Sequence, residues 1–97
     1  MLIKLAVINW KVMLILLFIP FVIFGSTYYV STSGNDNNSG TQSSPWRTIG
    51  KANSTLQAGD TVIIRAGTYS ETIQPQNSGT SSQRITYKNY SGETAII

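Results

Sequence analysis

The chain has 97 residues, 41% of them hydrophobic, with neither cysteine nor histidine and a formal charge of +3. The missing residue types exclude disulfides, thiol or imidazole metal ligands and nucleophilic triads within this segment. Lys4 and Lys11 lie in the first 25 residues; beyond them Arg47, Lys51, Arg65, Arg84 and Lys88 face Asp36, Asp60, Glu71 and Glu93, a net of +1, so no basic face for nucleic acid is expected.

Residues 1–25 stand apart from the rest. Lys4 and Lys11 precede the apolar run Val12 to Phe24, and the small residues Gly25 and Ser26 follow it. A bilayer-spanning helix needs about 20 apolar residues, whereas the core of a secretory leader needs about 7–15. The pattern reads as a signal-peptide helix cut after Gly25. Ile23 sits where a smaller residue is usual, which leaves an uncleaved amino-terminal anchor as the alternative. Either way the protein is expected to be secreted or at the cell surface, and to meet a membrane only through this leader if it is retained. The body, residues 26–97, is small for a self-sufficient core, since a domain near that size buries only about 60% of its unfolded surface. Thr94-Ala95-Ile96-Ile97 reads as a strand just beginning, which predicts that the chain is the front of a longer protein.

Within the body, Thr27-Tyr28-Tyr29-Val30 is aromatic and β-branched and predicts a first strand. Ser33 to Ser44 contains no apolar side chain and reads as a loop. Ser44-Pro45 has the form of a helix start, serine as N-cap and proline at the first helical position. Trp46, Ile49, Ala52 or Asn53, and Leu56 then recur at helical spacing. Ala58-Gly59 is expected to end this helix, with Gly59 as the left-handed residue. Val62-Ile63-Ile64 follows, three consecutive apolar residues between the glycine turns Gly59-Asp60 and Ala66-Gly67. Such a run suits a strand covered on both sides. Tyr69 to Ile73 is expected as a second short strand and Gln74 to Gln83 as a polar loop. Arg84 to Tyr90 alternates, with Ile85 and Tyr87 on one face. A turn at Ser91-Gly92 leads to the terminal strand.

Tyr69-Ser70-Glu71-Thr72-Ile73 is echoed by Tyr90-Ser91-Gly92-Glu93-Thr94-Ala95-Ile96, and each copy follows a strand. That recurrence is the size of one solenoid coil. The order Thr27-Tyr28-Tyr29-Val30-Ser31, Ser33-Gly34-Asn35-Asp36, Gly40-Thr41, Ser44-Pro45-Trp46-Arg47-Thr48-Ile49, Ala58-Gly59-Asp60-Thr61-Val62, Arg65-Ala66-Gly67-Thr68-Tyr69-Ser70-Glu71, Asn77-Ser78-Gly79-Thr80 and Arg84-Ile85-Thr86-Tyr87-Lys88 resembles the amino-terminal entry of secreted right-handed parallel β-helix proteins with the pectin-lyase-like fold. The resemblance implies a mainly β chain, the start of a solenoid closed by one short capping helix. In that arrangement Trp46, Ile49 and Leu56 would cover a core of Val62, Ile64, Ile73, Ile85 and Tyr87, hiding an open end that would otherwise aggregate.

For function the resemblance implies polysaccharide lyases and their relatives, epimerases, or surface proteins without catalysis. The partners expected are polysaccharide, acidic in the lyase case, and the rest of the protein's own β-helix. Lyase chemistry on a uronic acid needs a cation on the sugar carboxylate and a basic residue for the C5 proton. In the family those groups sit on central coils, so no catalytic, cofactor or metal residue is assigned here, although calcium is possible in the full-length protein. Asn35-Asp36-Asn37-Asn38-Ser39-Gly40 holds one carboxylate and reads as a turn rather than a calcium loop. Arg65 and Lys88, one coil apart by the repeat spacing, are candidate substrate contacts at the edge of a groove; the bland reading is two solvated strand ends. Asn37, Asn53 and Asn89 open sequons that read as coincidental. Tyr28, Tyr29, Tyr87 and Tyr90 could stack on sugar rings or on one another.

Overall fold

The computed structural model describes residues 25–97; the leader expected over residues 1–25 therefore lies, but for Gly25, outside the described residues. The elements are β1 (Thr27–Val30), α1 (Ile49–Thr55), β2 (Thr61–Ile64), β3 (Gly67–Thr68), β4 (Thr86–Asn89) and β5 (Ala95–Ile96). Every strand pair is parallel. β1, β2 and β4 form one sheet in that order, and β3 pairs with β5 in a second. Parallel neighbours cannot be joined by a tight hairpin, so α1 and its loops connect β1 to β2, and β3 with the polar loop after it connects β2 to β4. The chain turns a corner after β2 into β3 and after β4 into β5, which places the second pair of strands in register above one another. Among the described residues this is a mainly β architecture with one helix, laid down in stacked rungs.

Register sets the core. Tyr28, Val62 and Tyr87 share one row across the first sheet, and Val30, Ile64 and Asn89 share the next inward row. Val30, Val62 and Ile64 are buried together with Trp46, Ile49, Ala52, Leu56 and Tyr69; Tyr28, Ile85, Tyr87 and Ala95 pack against them. β2 is not covered on both sides, as its unbroken apolar run suggested: Ile63 points to the outer face and is only half-buried. The expected second strand is also displaced. It comprises Gly67 and Thr68, because Gly67 (φ 144°) turns the corner directly after β2 and lies so close to Thr32 that a Cβ would meet its Cγ2 at 2.6 Å. Tyr69 then leaves the strand and buries its ring, donating its hydroxyl to the Arg65 carbonyl at 2.9 Å. Ile73, expected in the core, is 39% exposed.

The helix begins at Thr48, not Ser44. Pro45 and Trp46 instead run beside β1, where Trp46 forms a parallel bridge with Val30. The Trp46 N–H donates to the Tyr29 carbonyl at 2.9 Å, the Ser31 N–H to the Trp46 carbonyl at 2.8 Å, and the Tyr29 N–H to the Gly40 carbonyl at 2.7 Å. Gly40 of the polar loop and Trp46 beyond it thus satisfy the outer edge of the first strand, which would otherwise template pairing with another chain. α1 ends at Leu56, whose N–H donates to Ala52. Gly59 has the expected left-handed conformation (φ 88°), but it serves the Gln57–Asp60 turn rather than the helix end. Ile49, Ala52 and Leu56 face inward and are fully buried, and α1 packs on β1 at the start of the sheet.

Candidate functional site

The outer face of the three-stranded sheet carries the side chains that point away from the core. Thr27, Thr61 and Thr86 form one row, and Tyr29, Ile63 and Lys88 the next. Beyond the strands the same pairing continues, with the Arg65 N–H donating to Val30 at 2.8 Å and the Tyr90 N–H to Ile64 at 3.0 Å. Arg65 therefore lies beside Tyr90, not beside Lys88. The repeat spacing read from the sequence is two residues short, because Val62 faces Tyr87 where that spacing would have faced it with Ile85.

The two candidate contacts accordingly differ. The Arg65 guanidinium lies 4.1 Å over the Tyr90 ring and forms a two-pronged pair with Glu93, both bonds at 2.8 Å. Glu93 also accepts the Ala66 N–H at 2.9 Å. The Arg65 bonds, with help from the Ala66 amide, hold the Glu93 carboxyl down to about 2, and the same pairing raises the Arg65 pKa further. Arg65 is thus committed to a corner clasp joining β2 to the turn after β4. Lys88 is exposed and lines a hollow of about 410 Å³ with Ile63, Asn89, Tyr90 and Ser91. An ammonium beside an aliphatic chain and a tyrosine ring can hold a ligand with one apolar face and one anionic group.

All four carboxylates of the chain bond backbone amides. Asp36 accepts from the Arg47 N–H (2.8 Å), the Thr48 N–H (2.9 Å) and the Thr48 hydroxyl (2.7 Å). Partial burial pushes its pKa up, but these bonds together outweigh that and lower it. Glu71 accepts the first helical amides, Ile49 at 3.0 Å and Gly50 at 2.8 Å. Thr48 takes the Lys51 amide at 3.1 Å. Asp60 accepts from Ser26 at 2.8 Å and Gln57 at 2.9 Å. Among the described residues no group of three or more acidic side chains could hold a metal ion. The carboxylates of the described residues are spread over separate turns and the helix start, so they offer no cluster for calcium.

Sequence reasoning did not foresee these roles, because each carboxylate meets amides distant in the chain. A signal was nonetheless present: the two Tyr-Ser-Glu-Thr-like copies carry Glu71 and Glu93, and both glutamates accept backbone N–H groups, Glu71 at the helix start and Glu93 at the corner after β2. Two sequon asparagines also proved structural. Asn53 donates to the Thr72 carbonyl and accepts from the Gln74 N–H and the Tyr87 hydroxyl. Asn89 closes the turn after β4 by donating to the carbonyls of Tyr90 and Glu93. Of the tyrosines, Tyr28 stacks on Trp46 with centroids 4.6 Å apart, whereas Tyr29 remains on the outer face.

Parallel rungs in two sheets, begun by a helix that buries its apolar stripe at the first strand, define a parallel β-helix type of protein. Comparison places the chain within that type: residues 28–97 match the Pel9A-like, right handed beta helix region, and the chain belongs to this family. It is 38% identical over 77 residues to the pectate lyase PEL9 of Emericella nidulans, covering 77% of this chain and 19% of that protein. It is 45% identical over 73 residues to YwoF of Bacillus subtilis, covering 75% of this chain and 16% of that protein. Among solved structures, a complex of XylC with xylose superposes with a TM-score of 0.69 at 43% identity, over 71% of this chain and 11% of that one. The GH136 lacto-N-biosidase from Eubacterium ramulus superposes at 0.60 with 30% identity, over 67% of this chain and 11% of that one. The chain thus spans less than a fifth of the length of these relatives.

Proposed function

We propose that this chain forms the cap and opening coils of an exported right-handed β-helix solenoid that acts on polysaccharide, with β-elimination on uronic-acid polymers as the activity of the full-length protein. The observation that carries the reading is the family match over residues 28–97, together with 38% identity to a pectate lyase over 77 residues. Residues 1–25 supply the leader for a secreted or cell-surface location. Within this segment the carboxylates hold backbone amides, so its work is to close the first rung and to present a binding edge. Lys88 contacts the acidic sugar there, against Ile63 and Tyr90. Arg65 acts by holding the Tyr90 ring, with its own charge already met by Glu93.

A second reading is a non-catalytic surface or adhesion protein that uses the same solenoid as a rigid carbohydrate-binding stalk. The full-length protein incubated with polygalacturonate, followed by the ultraviolet absorbance of the unsaturated product, tests the first reading. A rise is expected. Retention on a polygalacturonate gel without product would favour the second reading, and absence of both would overturn the pair. Lys88→Ala should weaken retention on polygalacturonate while leaving the melting temperature unchanged.

A further inference from the structure

We propose that Asp60 is the seat of the amino terminus freed when the leader is cut between Gly25 and Ser26. The inference rests on the export reading above. Asp60 is the buried polar residue of the described core, 9% exposed, and its two oxygens have separate partners. Oδ2 accepts the Gln57 N–H at 2.9 Å and closes the turn that leads into β2. Oδ1 reaches back 34 positions and accepts the Ser26 N–H at 2.8 Å. Ser26 is also held from its other side, since the Thr61 N–H donates to the Ser26 carbonyl at 2.9 Å. The first residue after the expected leader is therefore clamped against the start of the second rung by both of its backbone polar groups.

Cleavage changes the chemistry of one atom in that clamp. Hydrolysis of the Gly25–Ser26 amide consumes one water; Gly25 departs with a carboxylate, and the Ser26 nitrogen is released as an ammonium. The nitrogen that Asp60 already holds then carries a positive charge, and the contact becomes a charge-assisted ion pair, stronger than the amide bond it replaces. The chain on the leader side has little room. A Cβ built on Gly25 would fall 1.6 Å from the Gly59 carbonyl oxygen and 2.8 Å from the Asp60 nitrogen. The folded first rung thus accepts only glycine before Ser26, and removing Gly25 relieves that approach. Asp60 would in this way reward cleavage at one bond with a locked start to the first strand.

The full chain, produced in a secreting bacterium and collected outside the membrane, gives the test by intact mass and amino-terminal sequencing. Ser26 is the expected first residue. Acylation of its α-amine at neutral pH should run about tenfold more slowly in the native protein than in urea, because a facing carboxylate holds the amine protonated. Asp60→Asn should abolish that difference. Because the substitution also weakens the Gln57 turn, the native-against-urea comparison on the unaltered chain stands on its own. An exported protein that starts elsewhere, or a Ser26 amine that reacts equally in both conditions, would overturn the proposal while leaving export intact. A surface-held protein that keeps residues 1–25 would likewise overturn the proposal while leaving export intact. Retention inside the cell would sink the export reading itself.

Discussion

The two ends of the stack contrast. At the β1 end, Gly40 and Trp46 take up the outer strand edge and α1 packs on β1, and Val30, Ile49 and Leu56 are fully buried. At the β4 and β5 end, Ile64, Ile73, Tyr87, Ala95 and Ile97 line a hollow of about 450 Å³, and Ile96 and Ile97 are 56% and 52% exposed. The same kinds of apolar side chain are thus sealed at one end and open at the other. What differs is the material laid across them: a helix and a polar loop at the first, nothing among the described residues at the second. In the 97-residue chain by itself, substitutions at the covered end should therefore cost folding stability, whereas those at the other end should change association instead.

The largest effect is expected at Leu56. Leu56→Ala should lower stability by about 2–5 kcal/mol in denaturant unfolding, because it leaves a cavity between α1 and the sheet, and Leu56→Asp should bring aggregation as well. Gly40→Ala comes next. Gly40 has φ 88°, and a Cβ there would meet the Trp46 ring at 2.6 Å and Tyr28 at 2.9 Å. A loss of about 1–3 kcal/mol is expected, with a changed near-ultraviolet signal from the Tyr28–Trp46 stack. Thr48→Ala, which removes the helix N-cap and the Asp36 bond, should cost about 1 kcal/mol.

The Arg65–Glu93 clasp gives a pH signature. The Glu93 pKa is depressed from its ordinary 4.5 to about 2 in the folded chain. Its contribution is therefore present above about 4.5 and is lost as the pH falls through about 2. Glu93→Gln should lower the melting temperature slightly at neutral pH, by less in high salt, and the gap from the parent should close near pH 2. At the open end, Ile97→Ser should alter stability by about 0.5 kcal/mol or less, yet reduce self-association in analytical ultracentrifugation. An equally large loss of stability at Ile97 and Leu56 would break the contrast between the ends.

The sequence carried the strands well, because β-branched and aromatic runs at residues 27–30 and 61–64 and the alternation through Ile85 and Tyr87 are local signals. The stripe of Ile49, Ala52 and Leu56 was legible for the same reason. The helix start was not, since Ser44-Pro45 has the form of a cap while the acceptors that decide the matter, Asp36 and Glu71, approach Thr48 to Gly50 from separate loops. Arg65 and Lys88 lie on the same outer face of neighbouring rungs but two residues out of step, because the path from β2 to β4 is two residues longer than the repeat spacing. Lys88 was found as an exposed cation, but its neighbours Ile63 and Tyr90 become visible only once the register is known.

Hydrogen exchange of single backbone amides tests the sealed-and-open stack most directly. At β1 the Tyr29 and Ser31 amides donate outward to Gly40 and Trp46. At β4 the Thr86 and Tyr90 amides donate back toward β2, so by the alternation of a strand the Tyr87 and Asn89 amides point to the free edge. In the 97-residue chain by itself, strong protection of Tyr29 and Ser31 with fast exchange at Tyr87 and Asn89 is the predicted result. Equal protection at both edges, or fast exchange at Tyr29 and Ser31, would contradict it.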